Sequence, residues 1–312
     1  MSATLADKLD RWAPGLAAFV AAGAALYLGA TLFAGAAETA ASAARLGLLL
    51  AIAGTLMATL TYGARFLRWR LLLARLGHSV ADGVNLRIYL GGLALSSTPG
   101  KLGETLRSAF LHRLGVPWRD SLAAFFGDRL SDVIGMALLG AACAVALGQR
   151  STPLEALFVL ALLGAWLLRA LARRPLPQRW SAWRWLRDAS APLQRWATVW
   201  TLPTLLSCIA AAVLAYGLQG LVFALYVHAV ALPLAPAQCV VIFASATLLG
   251  AASGMPGGLG VMEAALVWQL QNAGVDTASA IAVTLLFRAS TMWTALLLGA
   301  GCLASLARRE TT

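Results

Sequence analysis

Charge is scarce in this chain. Only 12% of its 312 residues are Asp, Glu, Lys or Arg, against 60% hydrophobic, and the mean hydropathy is +0.77. A soluble protein of this length needs far more polar residues to cover its surface. Histidine is limited to His78, His112 and His228, which are isolated along the sequence and suggest no shared chemistry. The four cysteines, Cys143, Cys208, Cys239 and Cys302, lie in apolar segments without C-x-x-C spacing. That pattern gives no disulfide framework and no zinc site, so no metal or cofactor is expected. Alternation of period two is missing as well, which excludes a β-barrel.

What is present is apolar length. Continuous runs of roughly 18 residues or more, enough to cross a hydrocarbon core, occur at Pro14–Ala34, Leu46–Ala64 and Leu202–Val227. Ser121–Leu147 and Ala278–Leu306 continue past polar interruptions, and Leu154–Leu171 is shorter. The expected class is an all-α polytopic membrane protein with about six transmembrane helices. The first run is expected to be retained. Its n-region carries Asp7 and Asp10 beside Lys8 and Arg11, and its apolar stretch exceeds a usual signal-peptide core.

The formal charge of +11 invites a nucleic-acid partner, and its distribution argues against one. With alternating spans, Lys8, Arg11, Arg65, Arg68, Arg70, Arg75, Arg113 and Arg119 fall on one side. Arg169–Arg195, with seven arginines, and Arg308 and Arg309 fall there too, while the opposite loops hold little beyond Glu38, Arg150 and Asp276. This is the positive-inside pattern, and it predicts both termini in the cytoplasm. Within the basic segment, Trp180, Trp183, Trp185 and Trp196 are interleaved with Arg179, Arg184, Arg187 and Arg195. That mixture predicts an interfacial helix lying among lipid headgroups, preferentially anionic ones.

The two halves match each other. Pro99-Gly100-Lys101-Leu102-Gly103 aligns with Pro256-Gly257-Gly258-Leu259-Gly260 at an offset of 157 (256 − 99). After two inserted residues the offset is 159 (263 − 104), and it pairs Glu104 with Glu263, Gly115-Val116 with Gly274-Val275, and Arg129 with Arg288. It also pairs Leu138–Ala141 with Leu297–Ala300. The chain is therefore read as one membrane domain, 1–312, with repeats at about 46–147 and about 200–306 around the basic segment 172–198. Counting spans makes the copies inverted, a signature of transporters whose substrate sites lie near the midplane.

Before each long helix lies an apolar stretch broken by Pro-Gly, at Val84–Thr98 and at Ala235–Met255. Short helices then run to about Arg113 and about Asn272. These are expected to be re-entrant hairpins with tips at Pro99, Gly100 and Gly103, and at Pro256, Gly257, Gly258 and Gly260. Glu104, Glu263, Arg129 and Arg288 fall in or beside apolar segments, with Lys101, Asp128 and Asp132 nearby. Intramembrane charges face a partner or a wet path, leaving two compatible readings. Either Glu104–Arg129 and Glu263–Arg288 are ion pairs locking hairpin to helix, or the arginines receive an anionic headgroup while the carboxylates respond to protons. Arg129 has Asp128 beside it and Asp132 three residues on, whereas Arg288 has Phe287 and Thr291, so Arg288 is expected to be the freer cation.

At PGKLGE (Pro99–Glu104), DRLSD (Asp128–Asp132), PGGLGVME (Pro256–Glu263) and Arg288 the sequence resembles the lysylphosphatidylglycerol synthase transmembrane-region family, flippase-like proteins of the bacterial cytoplasmic membrane. The resemblance implies handling or movement of lipids across that membrane. Enzymes of the family carry a large soluble aminoacyl-transferase domain, and only Arg308–Thr312 follows the last apolar run here, so lysyl transfer is not expected. The leading expectation is a flippase for an anionic, phosphate-bearing lipid. The alternatives are a membrane enzyme acting on lipid-linked substrates or an assembly partner of a lipid-biosynthesis enzyme.

Overall fold

The computed structural model describes Gly29 and residues 36–96, 102–149, 152–174, 183–230 and 234–308. The expected first span apart from Gly29, the Pro99–Lys101 tip and Trp180 lie outside them. Eleven α-helices occur among the described residues: α1 Ala36–Arg75, α2 Asp82–Ser96, α3 Leu102–Arg113, α4 Trp118–Ala146, α5 Thr152–Ala172, α6 Arg184–Val199, α7 Leu202–Val230, α8 Pro236–Ala252, α9 Val261–Asn272, α10 Thr277–Arg288 and α11 Thr294–Arg308. A 3₁₀ turn covers Pro256–Gly258, and a π-helical turn, Ala289–Trp293, joins α10 to α11.

Five stretches are long and apolar enough to span a membrane: Gly47–Arg75, Trp118–Ala146, Pro153–Ala172, Leu202–Val230 and Thr277–Leu306. The class is thus all-α and polytopic. Leu60, Leu67, Leu160, Leu163, Trp166 and Leu206 stay exposed, as apolar side chains do where hydrocarbon is the solvent. One span corrects the sequence reading. The second run was expected to end at Ala64, yet the helix continues to Arg75, so Arg65 and Arg68 sit on a spanning helix and not in a loop. Their charge is tolerated because α4 presents two carboxylates to them.

The connections after α3 and α9 are built alike. Gly115 and Gly274 adopt φ of 86° and 91°, the left-handed region that glycine enters without a Cβ penalty. The following amides, Val116 and Val275, each donate to a leucine carbonyl, Leu111 and Leu270, at 3.0 Å. Both valines are buried. This is the Schellman closure with its apolar contact. The helices themselves recur at the sequence offset: α3 and α9 start 159 apart (261 − 102), as do α4 and α10 (277 − 118).

Side-chain contacts fix the helix directions. Gly54 meets Tyr226, Thr61 pairs with Gln219, and Arg65 lies over Tyr216, so α1 and α7 are antiparallel. Arg65 reaches Asp132 and Arg68 reaches Asp128, so α4 is antiparallel to α1. Ser42 meets Ser279 and Thr55 meets Ser290, so the α10 segment runs parallel to α1, and therefore opposite to α4. Ser245 bonds Gln269 and Gly250 abuts Met262, which makes α8 and α9 an antiparallel hairpin with its tip at 253–260. α2 packs along α11, and α8 along α4, so each half lays its first short helix against the long helix of the other.

Candidate functional site

Two charged centres lie within the spanning helices. The first joins α1 to α4. Arg68 Nη2 lies 2.6 Å from Asp128 Oδ1 and 2.5 Å from Asp132 Oδ1. Its Nε also donates to Asp128 Oδ1 at 2.8 Å. Arg65 Nη2 approaches Asp132 Oδ2 at 3.3 Å. Arg129 Nη2 reaches Asp128 Oδ2 at 2.6 Å and Asp132 Oδ2 at 3.0 Å. The side chains of Arg68 and Asp128 are fully buried, whereas that of Arg129 is 38% exposed. The α-helical spacing explains the meeting: Arg65 and Arg68 share a face of α1 with Thr61 and Leu72, and Asp128 and Asp132 share a face of α4. Asp128, Arg129 and Asp132 were expected at the site. Arg65 and Arg68 were missed because counting apolar residues stops a span at the first arginine. The signal that finds them is Thr61, Arg65, Arg68 and Leu72 at i, i+4, i+7 and i+11 on one helix face.

The second centre closes the α8–α9 hairpin. Arg288 Nε donates to Glu263 Oε1 at 2.7 Å and Nη2 donates to the Gly257 carbonyl at 2.7 Å. Its nitrogens also face the sulfurs of Met262 and Met292 at 3.3 and 2.8 Å. Glu263 Oε2 accepts from the Gly260 N–H at 2.7 Å. Gly257, Gly258 and Gly260 take φ of 60°, 66° and 85°, and any Cβ on Gly258 would lie 3.2 Å from the Gly250 backbone. Three glycines are thus required for this tip to turn within the protein. Immediately after Arg288 the helix widens into the π turn, where Tyr62 donates its hydroxyl to the Thr291 carbonyl at 2.5 Å.

This geometry corrects one expectation. Arg288 is not the freer cation: its side chain is 6% exposed and ion-paired to Glu263. The more open arginine is Arg129, whose two aspartates are shared with Arg68. The Glu263–Arg288 pair expected from sequence is present. Arg129 takes its carboxylates from its own helix, and the Glu104 side chain and the Lys101 position lie outside the described residues; Gly103 lies in α3.

A third junction holds α6. Asp120 accepts from Arg195 Nε at 2.6 Å and lies 2.7 Å from His78 Nε2, and Arg195 Nη2 donates to the Leu76 carbonyl at 3.0 Å. The hydrogen bond to the aspartate holds the Arg195 guanidinium above its ordinary pKa. Trp196 is fully buried, edge-on to Phe126 and beside Trp200. Both residues were expected among lipid headgroups, and both serve instead to fasten the helix to α1 and α4. The amphipathic pattern is real, but its apolar face is met by protein. Trp183 remains exposed.

Arg107 of α3 is also buried, between the rings of Trp69 and Tyr89 at 4.6 and 4.7 Å. A Cβ on Gly92 would come within 2.7 Å of its Nε. Among the described residues no group of three or more His, Cys, Asp or Glu side chains is placed to hold a metal ion. All four cysteines are free.

The family described as "Lysylphosphatidylglycerol synthase TM region" matches residues 17–299. No match is found among curated proteins.

Proposed function

The chain belongs to the lysylphosphatidylglycerol synthase transmembrane-region family, and from that premise we propose that it moves an anionic, phosphate-bearing lipid across a bacterial cytoplasmic membrane. The observation that carries the reading is the α1–α4 cluster: three guanidinium groups against two carboxylates, inside spanning helices, with Arg129 alone substantially exposed. Uncompensated positive charge at membrane depth is costly unless it meets an anion or a water-filled path.

The repeat places the two arginines alike. Arg129 stands 11 residues after Trp118 (129 − 118), and Arg288 stands 11 after Thr277 (288 − 277). At about 1.5 Å per residue this is about 16 Å along each helix, near the middle of a hydrocarbon core of about 30 Å. Opposite helix directions, recurring boundaries and the exchanged packing of α2 and α8 support inverted repeats, with the Pro-Gly elements as re-entrant hairpins and both termini cytoplasmic.

In this reading Arg129 receives the headgroup, Arg65, Arg68, Asp128 and Asp132 hold it in place, and the Arg288–Glu263–Gly257 contacts latch the second hairpin. Exchange of fluorescent anionic lipids between leaflets of proteoliposomes tests the proposal, with Arg129→Gln as the diagnostic variant.

A further inference from the structure

The α1–α4 cluster carries more donors than its aspartates use. Among the described residues, Arg65 Nε, Arg68 Nη1 and Arg129 Nε are buried and have no hydrogen-bond partner on the protein. One such nitrogen belongs to each of the three guanidinium groups. Native proteins satisfy nearly all their buried polar groups with protein, water or ligand, so three such donors in one centre suit an acceptor from outside the chain. Arg68 and Asp128 are fully buried and mutually paired, which fixes the centre's floor. Tyr216 lies 5.5 Å from the Arg65 guanidinium and Phe125 lies 5.7 Å from that of Arg129, so aromatic rings flank the two outer cations.

We propose that Arg65, Arg68 and Arg129 form an oxyanion site whose charge balance selects a singly charged ligand, a phosphodiester headgroup, over a doubly charged phosphomonoester. Three cations against two carboxylates leave a single positive charge. A monoanion brings the centre to neutrality. A dianion leaves an uncompensated negative charge among buried groups, which is unfavourable in a weakly polarisable interior. A phosphodiester also keeps two unsubstituted oxygens, acceptors suited to guanidinium N–H groups. Asp128 and Asp132 thus act as charge setters as well as struts. The inference rests on the lipid-handling reading only for the source of the anion.

The test compares two chain-matched lipids binding to the purified full chain in detergent at pH 8. One is a phosphodiester lipid with an uncharged headgroup. The other is phosphatidic acid, a phosphomonoester whose second proton leaves near pH ~6. Wild type is expected to bind the diester about tenfold more tightly. Asp132→Asn, which adds one positive charge to the centre, is expected to shift that ratio towards phosphatidic acid by about tenfold, and Arg65→Gln to weaken the diester by a similar factor. Displacement of bound diester by millimolar dimethyl phosphate is expected, and places recognition on the phosphate rather than the acyl chains.

Equal binding of the two lipids by wild type overturns the proposal, as does failure of dimethyl phosphate to compete. So does an unchanged ratio in Asp132→Asn protein that still unfolds cooperatively. Should that variant not fold, undiminished diester binding by Arg65→Gln overturns it. Binding is read without transport. Selective binding by a protein that exchanges no lipid contradicts the transport reading alone, and lipid exchange without selectivity contradicts only this inference.

Discussion

Arg288 and Glu263 form a buried ion pair, 2.7 Å from Nε to Oε1, that holds the second Pro-Gly tip from inside the protein. The carboxylate also caps α9 through the Gly260 N–H, and the guanidinium grips the Gly257 carbonyl. Two side chains therefore satisfy two backbone groups of a turn that lies at membrane depth in the proposed arrangement, where water is not available to do so.

Breaking that pair from one side leaves a buried charge without its counter-ion. Arg288→Ala is expected to destabilise the protein by about 3–5 kcal/mol. The double variant Glu263→Ala/Arg288→Ala is expected to lose less than the sum of the single losses. Thermal unfolding in detergent, arranged as a double-mutant cycle, measures both, and additive losses would show that the two residues act independently.

Gly54 packs directly against the Tyr226 ring, and a Cβ there would collide with the phenol. Gly54→Ala is expected to cost about 1–3 kcal/mol through overpacking of the α1–α7 contact. The atom met first is the hydroxyl, so Tyr226→Phe in the same chain is expected to restore part of the loss. Unfolding temperatures of the three variants decide it.

The second Pro-Gly turn was legible in the sequence because Pro-Gly followed by glycine states a backbone requirement, and α9 ends at Asn272 as read. The Schellman glycines Gly115 and Gly274 were visible as repeat matches, though not as turns. Partner choice was not legible. Arg288 looked free because its sequence neighbours Phe287 and Thr291 are uncharged, yet its carboxylate comes from another helix. Arg195 and Trp196 read as a membrane surface because an amphipathic helix shows the same pattern whether its apolar face meets lipid or protein.

Asp276 caps α10 by accepting the Ser279 N–H at 2.9 Å, and the Ser279 bonds hold its pKa below the ordinary aspartate value. Its contribution is therefore fully present above that ordinary value, near pH ~4. It is lost as pH falls through the lower folded-state value. Asp276→Ala is expected to cost about 1 kcal/mol at neutral pH, and the gap to wild type is expected to close in acid. Urea unfolding at pH 7 and pH 3 checks this; a gap that widens in acid contradicts it.

Arg195 fastens α6 through Asp120 and the Leu76 carbonyl. Arg195→Ala is expected to speed amide exchange over residues 184–199 by about tenfold, equivalent to about 1.4 kcal/mol, while exchange in α7 stays unchanged. Hydrogen exchange with peptide mapping separates the two helices, and equal acceleration of both would mean global destabilisation.

The most direct measurement is leaflet exchange of a fluorescent anionic lipid in proteoliposomes holding wild-type or Arg129→Gln protein. Exchange by wild type is expected, with a loss of about tenfold or more in folded Arg129→Gln protein, the equivalent of about 1.4 kcal/mol in barrier height. Exchange that is undiminished without Arg129, or absent in folded wild type for every anionic lipid tried, contradicts the proposed function.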